Sequence, residues 1–147
     1  MKSKISPHEY AETLEAIELN DIRLSEIKFK YDDQDQTGGI LSINISDKYS
    51  FEDKGDNALF NVQFKISGVK ENEEAIEKEK SVIFSLTANY KIYYFKKNEI
   101  QITTDFFEVF KTVSLSMLIW PYVRELTQNT LIRAGLPPFT IPMRRIN

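Results

Sequence analysis

The chain has no cysteine. That excludes a disulfide framework, a thiolate metal site and a cysteine nucleophile. It has one histidine, His8, placed in a helix-capping sequence and so read as an exposed first-turn residue; a catalytic histidine needs an orienting partner and a cleft. Only five glycines occur, and there is no glycine-rich phosphate loop, no HExxH and no GxSxG. Long apolar runs are also missing. The longest, Met117 to Tyr122, is about six residues, where a membrane span needs roughly 20. The N-terminus, Met1 to Pro7, begins with charge, but no apolar signal core comes after it. The net charge is −3, so the chain lacks the positive field that phosphate backbones require. These absences point to a cytoplasmic protein with no cofactor, no metal, no membrane partner and no nucleic-acid partner, and one that is not an enzyme.

What remains is apolar and aromatic surface on a 147-residue chain, with ten Phe, seven Tyr and one Trp. That is the size and composition of one folded domain, residues 1–147. Ser6-Pro7-His8-Glu9 is a capping box with proline at the first helical position. Tyr10, Leu14 and Ile17 then share a helical face. Alternation comes next: Ile22 and Leu24 on even positions, Ile27, Phe29 and Tyr31 on odd ones. The parity slip at Ser25-Glu26 predicts a β-bulge in one long strand. A turn over 32–39 leads to a second strand with Leu41, Ile43, Ile45, Tyr49 and Phe51 on one face. After a turn over 52–57 comes a third, with Phe60, Val62, Phe64 and Ile66. The mixed-charge segment 70–80 reads as a solvated hairpin loop. A fourth strand, about 81–96, places Val82, Phe84, Leu86, Ala88, Tyr90, Ile92 and Tyr94 inward. Ile83, Tyr93 and Phe95 lie on its other face and call for cover from a subunit partner.

Half-wet alternation belongs to antiparallel sheets. The fold class is therefore α+β: a four-stranded antiparallel sheet, a short N-terminal helix and a long C-terminal helix packed on the sheet. The C-terminal part begins with a short helix capped by Thr104 or Asp105. A longer helix capped by Ser114 or Ser116 comes next, kinked or restarted at Pro121. Gly135 supplies its C′ residue. Beyond it, Leu136-Pro137-Pro138-Phe139-Thr140-Ile141-Pro142 is an apolar strap that proline keeps from full sheet pairing. Over a sheet, such a strap forms one wall of a groove for extended apolar polypeptide.

Trp120-Pro121-Tyr122-Val123-Arg124-Glu125, with Gly135 and the Leu-Pro-Pro strap after it, resembles the SecB family of bacterial protein-export chaperones. The pattern is most similar to the short SecB-like chaperones associated with toxin–antitoxin systems. The resemblance implies a homotetramer built as a dimer of dimers. It also implies a holdase that binds unfolded polypeptide clients, preprotein or antitoxin, without ATP. The client groove it implies comprises Leu41, Ile43 and Ile45 from the second strand, Tyr122 and Leu126 from the helix, and Leu136, Phe139 and Ile141 from the strap. Arg124 and Glu125 are read as structural. The chain lacks the family's second helix and acidic tail, and Lys30 and Leu86 stand where the export chaperone presents acids. Contact with the export motor ATPase is therefore not expected. Two other readings stay open: an oligomeric interaction module with one fixed protein partner, and a small-molecule or catalytic α+β domain with a closed polar pocket.

Overall fold

A computed structural model describes residues 5–31, 40–71 and 80–136. Helix α1 (Pro7–Ala16) precedes four strands: β1 (Ile17–Tyr31), β2 (Ile40–Asp53), β3 (Asn57–Glu71) and β4 (Lys80–Lys96). Helix α2 (Thr104–Phe110), a π-helical turn (Lys111–Leu115) and helix α3 (Ser116–Arg133) complete it. The strands form one antiparallel sheet in the order β1-β4-β3-β2. The expected fold class is thus observed.

Local chemistry sets each boundary. Ser6 Oγ accepts from the Glu9 N–H at 3.2 Å, and Pro7 opens α1, as the capping sequence predicts. The buried face of α1 differs from the expectation. Thr13 and Ala16 are buried, whereas Leu14 is 40% exposed, and Ile17 already belongs to β1. Tyr10 stacks on Phe106 at 5.1 Å, so α2 decides which side of α1 faces inward. Strand β1 carries the bulge predicted at Ser25, between Leu24 and Glu26, and a second between Leu19 and Asp21. The first accounts for the parity slip read from the sequence, and the second brings Leu19, at an odd position, onto the same face as Ile22 and Leu24. Leu19, Ile22, Leu24, Ile27, Phe29 and Tyr31 each stand opposite an inward β4 residue, so all share the helix-covered face. Gly55, at φ +83°, makes the β2–β3 turn, closed by Lys54 N–H donating to the Asn57 carbonyl at 2.8 Å. The turn expected over 32–39 and most of the charged hairpin over 70–80 lie outside the described residues.

The core lies between the sheet and the C-terminal helices. Phe60, Val62, Phe64 and Ile66 of β3 are at most 1% exposed. Leu86 is 2% exposed on the helix-covered face of β4. It is therefore a core residue, whatever the comparison with a motor-contacting acid implies, while Lys30 is exposed. Phe107 and Phe110 pack on Phe60 at 6.1 and 5.1 Å, and Trp120 packs on Phe64 at 5.7 Å.

Two expectations about the helices change. The cap of α2 is Thr103, whose Oγ1 accepts from the Phe106 N–H at 3.1 Å; Thr104 and Asp105 are already helical. No side chain caps α3. Instead α2 runs into α3 through the π turn, where the Ser116 N–H donates to the Lys111 carbonyl. Ser116 Oγ donates to the Thr112 carbonyl at 2.8 Å and so works inside the helix rather than at its start. Pro121 also lies within α3. The extra residue of the π turn rotates α3 relative to α2. That rotation lets the phenylalanines of α2 and the Trp120 side of α3 face the same sheet.

The connection from β4 to α2 is fixed by one carboxylate. Asp53 Oδ1 accepts from Lys96 Nζ at 2.7 Å and from the Gly55 N–H at 3.2 Å. Asp53 Oδ2 accepts from the Ile102 N–H at 3.0 Å. The Lys96 side chain is only 4% exposed. Burial disfavours the Asp53 anion. Lys96 and the two backbone donors outweigh it and hold the carboxyl below its ordinary 3.8.

Candidate apolar binding surface

The helix-covered face is wider than the helices that cover it. Strand β1 forms one edge of the sheet and β2 the other. Apolar side chains near both edges keep substantial exposure: Leu19 42%, Leu24 44% and Ile27 43% on β1, and Ile45 41% on β2.

Two aromatic residues that flank Pro121 turn to different strands. Trp120 is 7% exposed and packs on Phe64 of β3. Tyr49 of β2 meets Phe64 edge-on at 6.4 Å, so Trp120 serves the side nearer β2. Tyr122 is 46% exposed and meets Tyr90 of β4 edge-on at 6.4 Å. The Tyr90 hydroxyl donates to the Tyr122 carbonyl at 3.4 Å. In register with Tyr90 stands Leu24 of β1, and the next inward residue of β1, Ile27, is opposite Ala88. Leu24, Ile27, Tyr90 and Tyr122 therefore line the angle between α3 and the β1 edge. Burial pushes the Tyr90 hydroxyl up to about 12, with the Glu125 charge adding to it; Tyr90 stays neutral and works here as a hydrogen-bond donor and apolar wall.

Of the eight residues that the resemblance groups, five lie among the described residues with their side chains: Ile43, Ile45, Tyr122, Leu126 and Leu136. Ile43 is half-buried and packs on the core from β2, opposite Gly68. Gly68 leaves room for the Phe84 ring, which would lie 2.3 Å from a Cβ at that position. Ile45 lies two residues further along β2 with an open face. Leu126 is half-buried against the core. Leu136 is held by its N–H donating to the Leu131 carbonyl, while the Gly135 N–H donates to the Ile132 carbonyl, both at 3.0 Å. With Gly135 at φ +76°, this is the glycine-terminated helix end that the sequence implies. Leu136 also packs on the core. Tyr122 of α3 packs on β4, and β3 lies between β4 and β2, so on the same face of the sheet it stands one strand away from Ile43 and Ile45. The side chain of Leu41, and Phe139 and Ile141, lie outside the described residues.

Leu24 and Ile27 are the residues that sequence reasoning does not select. Their inward parity is legible. That β1 rather than β2 lies beside β4 is not, because strand order depends on pairings distant in sequence. Glu125 accepts from Asn129 Nδ2 one turn on, a bond within α3, and Arg124 is half-buried. Among the described residues no cluster of histidine, aspartate or glutamate could hold a metal, and no helix is long and apolar enough to cross a membrane. The arrangement offers apolar contact and edge-strand backbone groups rather than convergent acids and bases.

No family model matches the chain, and no curated protein matches its sequence. The structure is similar to that of a SecB-like chaperone from Mycobacterium tuberculosis, solved in complex with a ChAD peptide from the HigA1 antitoxin. The TM-score is 0.76 at 14% identity, covering 92% of this chain and 96% of that one. A protein of unknown function from Streptococcus agalactiae aligns with a TM-score of 0.35 at 12% identity, covering 86% of this chain and 96% of that one, which carries no argument. The fold is therefore SecB-like.

Proposed function

We propose that this protein is an ATP-independent holdase, not an enzyme, which binds extended apolar segments of non-native polypeptide between α3 and the edges of the sheet. The observation that carries the reading is the joint position of Leu24, Ile27 and Tyr122. Each is more than 40% exposed beside the buried core, and each lies on or near an edge strand whose outer backbone groups can pair with an added strand. The antitoxin peptide bound by the structurally similar chaperone favours an antitoxin as client over a preprotein in export. No nucleotide, cofactor or metal is needed, because capture lowers the free unfolded chain by mass action alone. The site takes in Leu24, Ile27 and Tyr122 on the β1 side. The residues implied by the resemblance extend it on the β2 side: Leu41, Ile43, Ile45, Leu126, Leu136, Phe139 and Ile141.

The working protein in this reading is a cytoplasmic homotetramer, a dimer of dimers. Val113 and Met117 on the helical layer and Phe95 on the opposite sheet face are 42%, 39% and 48% exposed, and subunit contacts would cover them. Light scattering on the eluting protein tests this; a monomer at micromolar concentration refutes it.

The test of the holdase is suppression of aggregation of a chemically denatured model client at stoichiometric amounts. Wild type should suppress it. Tyr122→Ala with Leu24→Asp should lose about 1–3 kcal/mol of client binding, roughly 5- to 150-fold, while the circular dichroism stays native. Failure of the wild type to suppress aggregation sinks the proposal. Native-state binding of an apolar fluorophore separates it from a module whose groove is filled by one fixed partner, which would leave the dye dark.

A further inference from the structure

The face of the sheet turned away from the helices has a charge opposite to that of the whole chain. Residues paired in register share a face, so three neighbouring rows can be read across it: Arg23–Lys91–Asn61–Ser50, Glu26–Asn89–Gln63–Lys48 and Lys28–Thr87–Lys65–Ser46. They hold Arg23, Lys28, Lys48, Lys65 and Lys91 against Glu26 alone, within a chain of net charge −3. Arg23 is occupied by Asp21 at 2.6 Å and Lys28 by Glu26 at 3.2 Å. Lys48, Lys65 and Lys91 are exposed, and none has an ion pair among the described residues.

Between these lysines the surface is concave. A depression of about 540 Å³ is bordered by Lys48, Gln63, Asn89 and Lys91. A second, of about 420 Å³, is bordered by Gln63, Lys65, Thr87 and again Lys48. Asp47 also borders the second, but its carboxylate accepts from the Tyr49 hydroxyl at 2.9 Å, which alternation places on the helix-covered face. The two depressions share Lys48 and Gln63, so they form one shallow trough crossing β4, β3 and β2.

We infer that this trough is a second docking surface, separate from the client surface, and that its partner is an acidic, extended polypeptide segment. The charge complementarity is local: three ammonium groups with no ion pair among the described residues, against the single Asp47 carboxylate, are spaced along a trough bordered also by the amides of Asn61, Gln63 and Asn89. Lysine supplies point charges for carboxylates. Asn61, Gln63 and Asn89 supply donors and acceptors for a peptide backbone. Nucleic acid fits less well. The three rows contain no aromatic side chain on which bases could stack, Tyr93 and Phe95 of this face lying in the rows beyond them towards the end of β4, and a long polyanion would meet the negative charge of the rest of the molecule. A lipid surface also fits less well, because the rows present no exposed apolar group that could enter a bilayer.

The experiment is fluorescence anisotropy of the intact protein with a fluorescein-labelled, glutamate-rich peptide of about 16 residues, long enough to cross three strands. Wild type should bind it, and binding should weaken steeply as salt is raised. Lys48→Glu/Lys65→Glu/Lys91→Glu should bind at least tenfold more weakly, and the charge-removing triple Lys→Gln variant should fall between. Both should suppress client aggregation as wild type does, since the substituted groups are exposed and lie on the other face. Undiminished binding by the Gln variant overturns the inference, as does absence of binding by wild type. Tighter binding of a single-stranded oligonucleotide of equal charge, or of phosphatidylserine vesicles, also overturns it by assigning the trough to another class of partner.

Discussion

Asp53→Ala tests how far one carboxylate holds the helical layer on the sheet. Asp53 ends β2 and Lys96 ends β4, so the residue ties a hairpin turn to the segment that launches α2. Alanine removes the acceptor for a 2.7 Å charge-assisted bond, and such bonds contribute about 1.5–3 kcal/mol. It also orphans the Ile102 N–H, about 1 kcal/mol more. Breaking a buried ion pair from one side costs about 3–5 kcal/mol. Because the Asp53 side chain keeps 25% exposure, the low end applies: about 3 kcal/mol, or a melting temperature lower by roughly 6–12 °C at this chain length. Asp53→Asn keeps an acceptor and loses only the charge, so about 1–2 kcal/mol is expected. The pH dependence has a definite sign. The folded carboxyl lies below its ordinary 3.8, so its contribution is present above pH 3.8 and is lost as pH falls through the folded value. Urea unfolding of wild type and both variants, at one protein concentration because assembly adds to stability, measures all three quantities. If Asp53→Ala lies within about 0.5 kcal/mol of wild type, the range of an ordinary surface substitution, the carboxylate is not a structural tie. A gap between wild type and Asp53→Asn that persists unchanged well below pH 3.8 refutes the electrostatic part.

Gly68→Ala should cost about 1–3 kcal/mol, because its methyl would lie 2.3 Å from the Phe84 ring; an unchanged urea midpoint would mean that the ring moves aside freely. At the alkaline end, burial first, then nearby Glu125 for Tyr90 and Tyr10 for Tyr94, raises both hydroxyls to about 12. Their contribution is complete below pH 10 and is lost as pH rises towards 12. Phenolate absorbance should therefore show these two tyrosines ionising late, together with unfolding; early ionisation of all seven tyrosines in a folded protein would contradict their burial.

Local signals carry well into three dimensions where the deciding physics is local. The Ser6 cap, the Ser25 bulge and the Gly135 helix end each depend on a few neighbouring residues, and each is in place. The α2 cap falls at Thr103, one residue before its expected place, since Thr103, Thr104 and Asp105 can all accept a helix N–H. The break expected before Ser116 is absent, because packing of Phe106, Phe107 and Phe110 on the sheet and on α1 sustains the helix through a π turn. The second bulge, near Asn20, shows only when β1 begins at Ile17, a residue read from the sequence as helical.

The sequence by itself determined the elements and which face of each strand is apolar, because backbone stereochemistry and a period of two act over a few residues. It also marked the SecB-like C-terminal helix through Pro121, Tyr122 and Gly135. Only the tertiary structure decided that β1 lies beside β4. That pairing joins positions about 50 to 80 residues apart and is governed by how the apolar faces close together, not by any local preference. It sets Leu24 and Ile27 against Tyr90 and Tyr122 and leaves Ile43 and Ile45 on the opposite edge. It also gathers lysines from separate strands into one basic trough, although the chain as a whole is acidic.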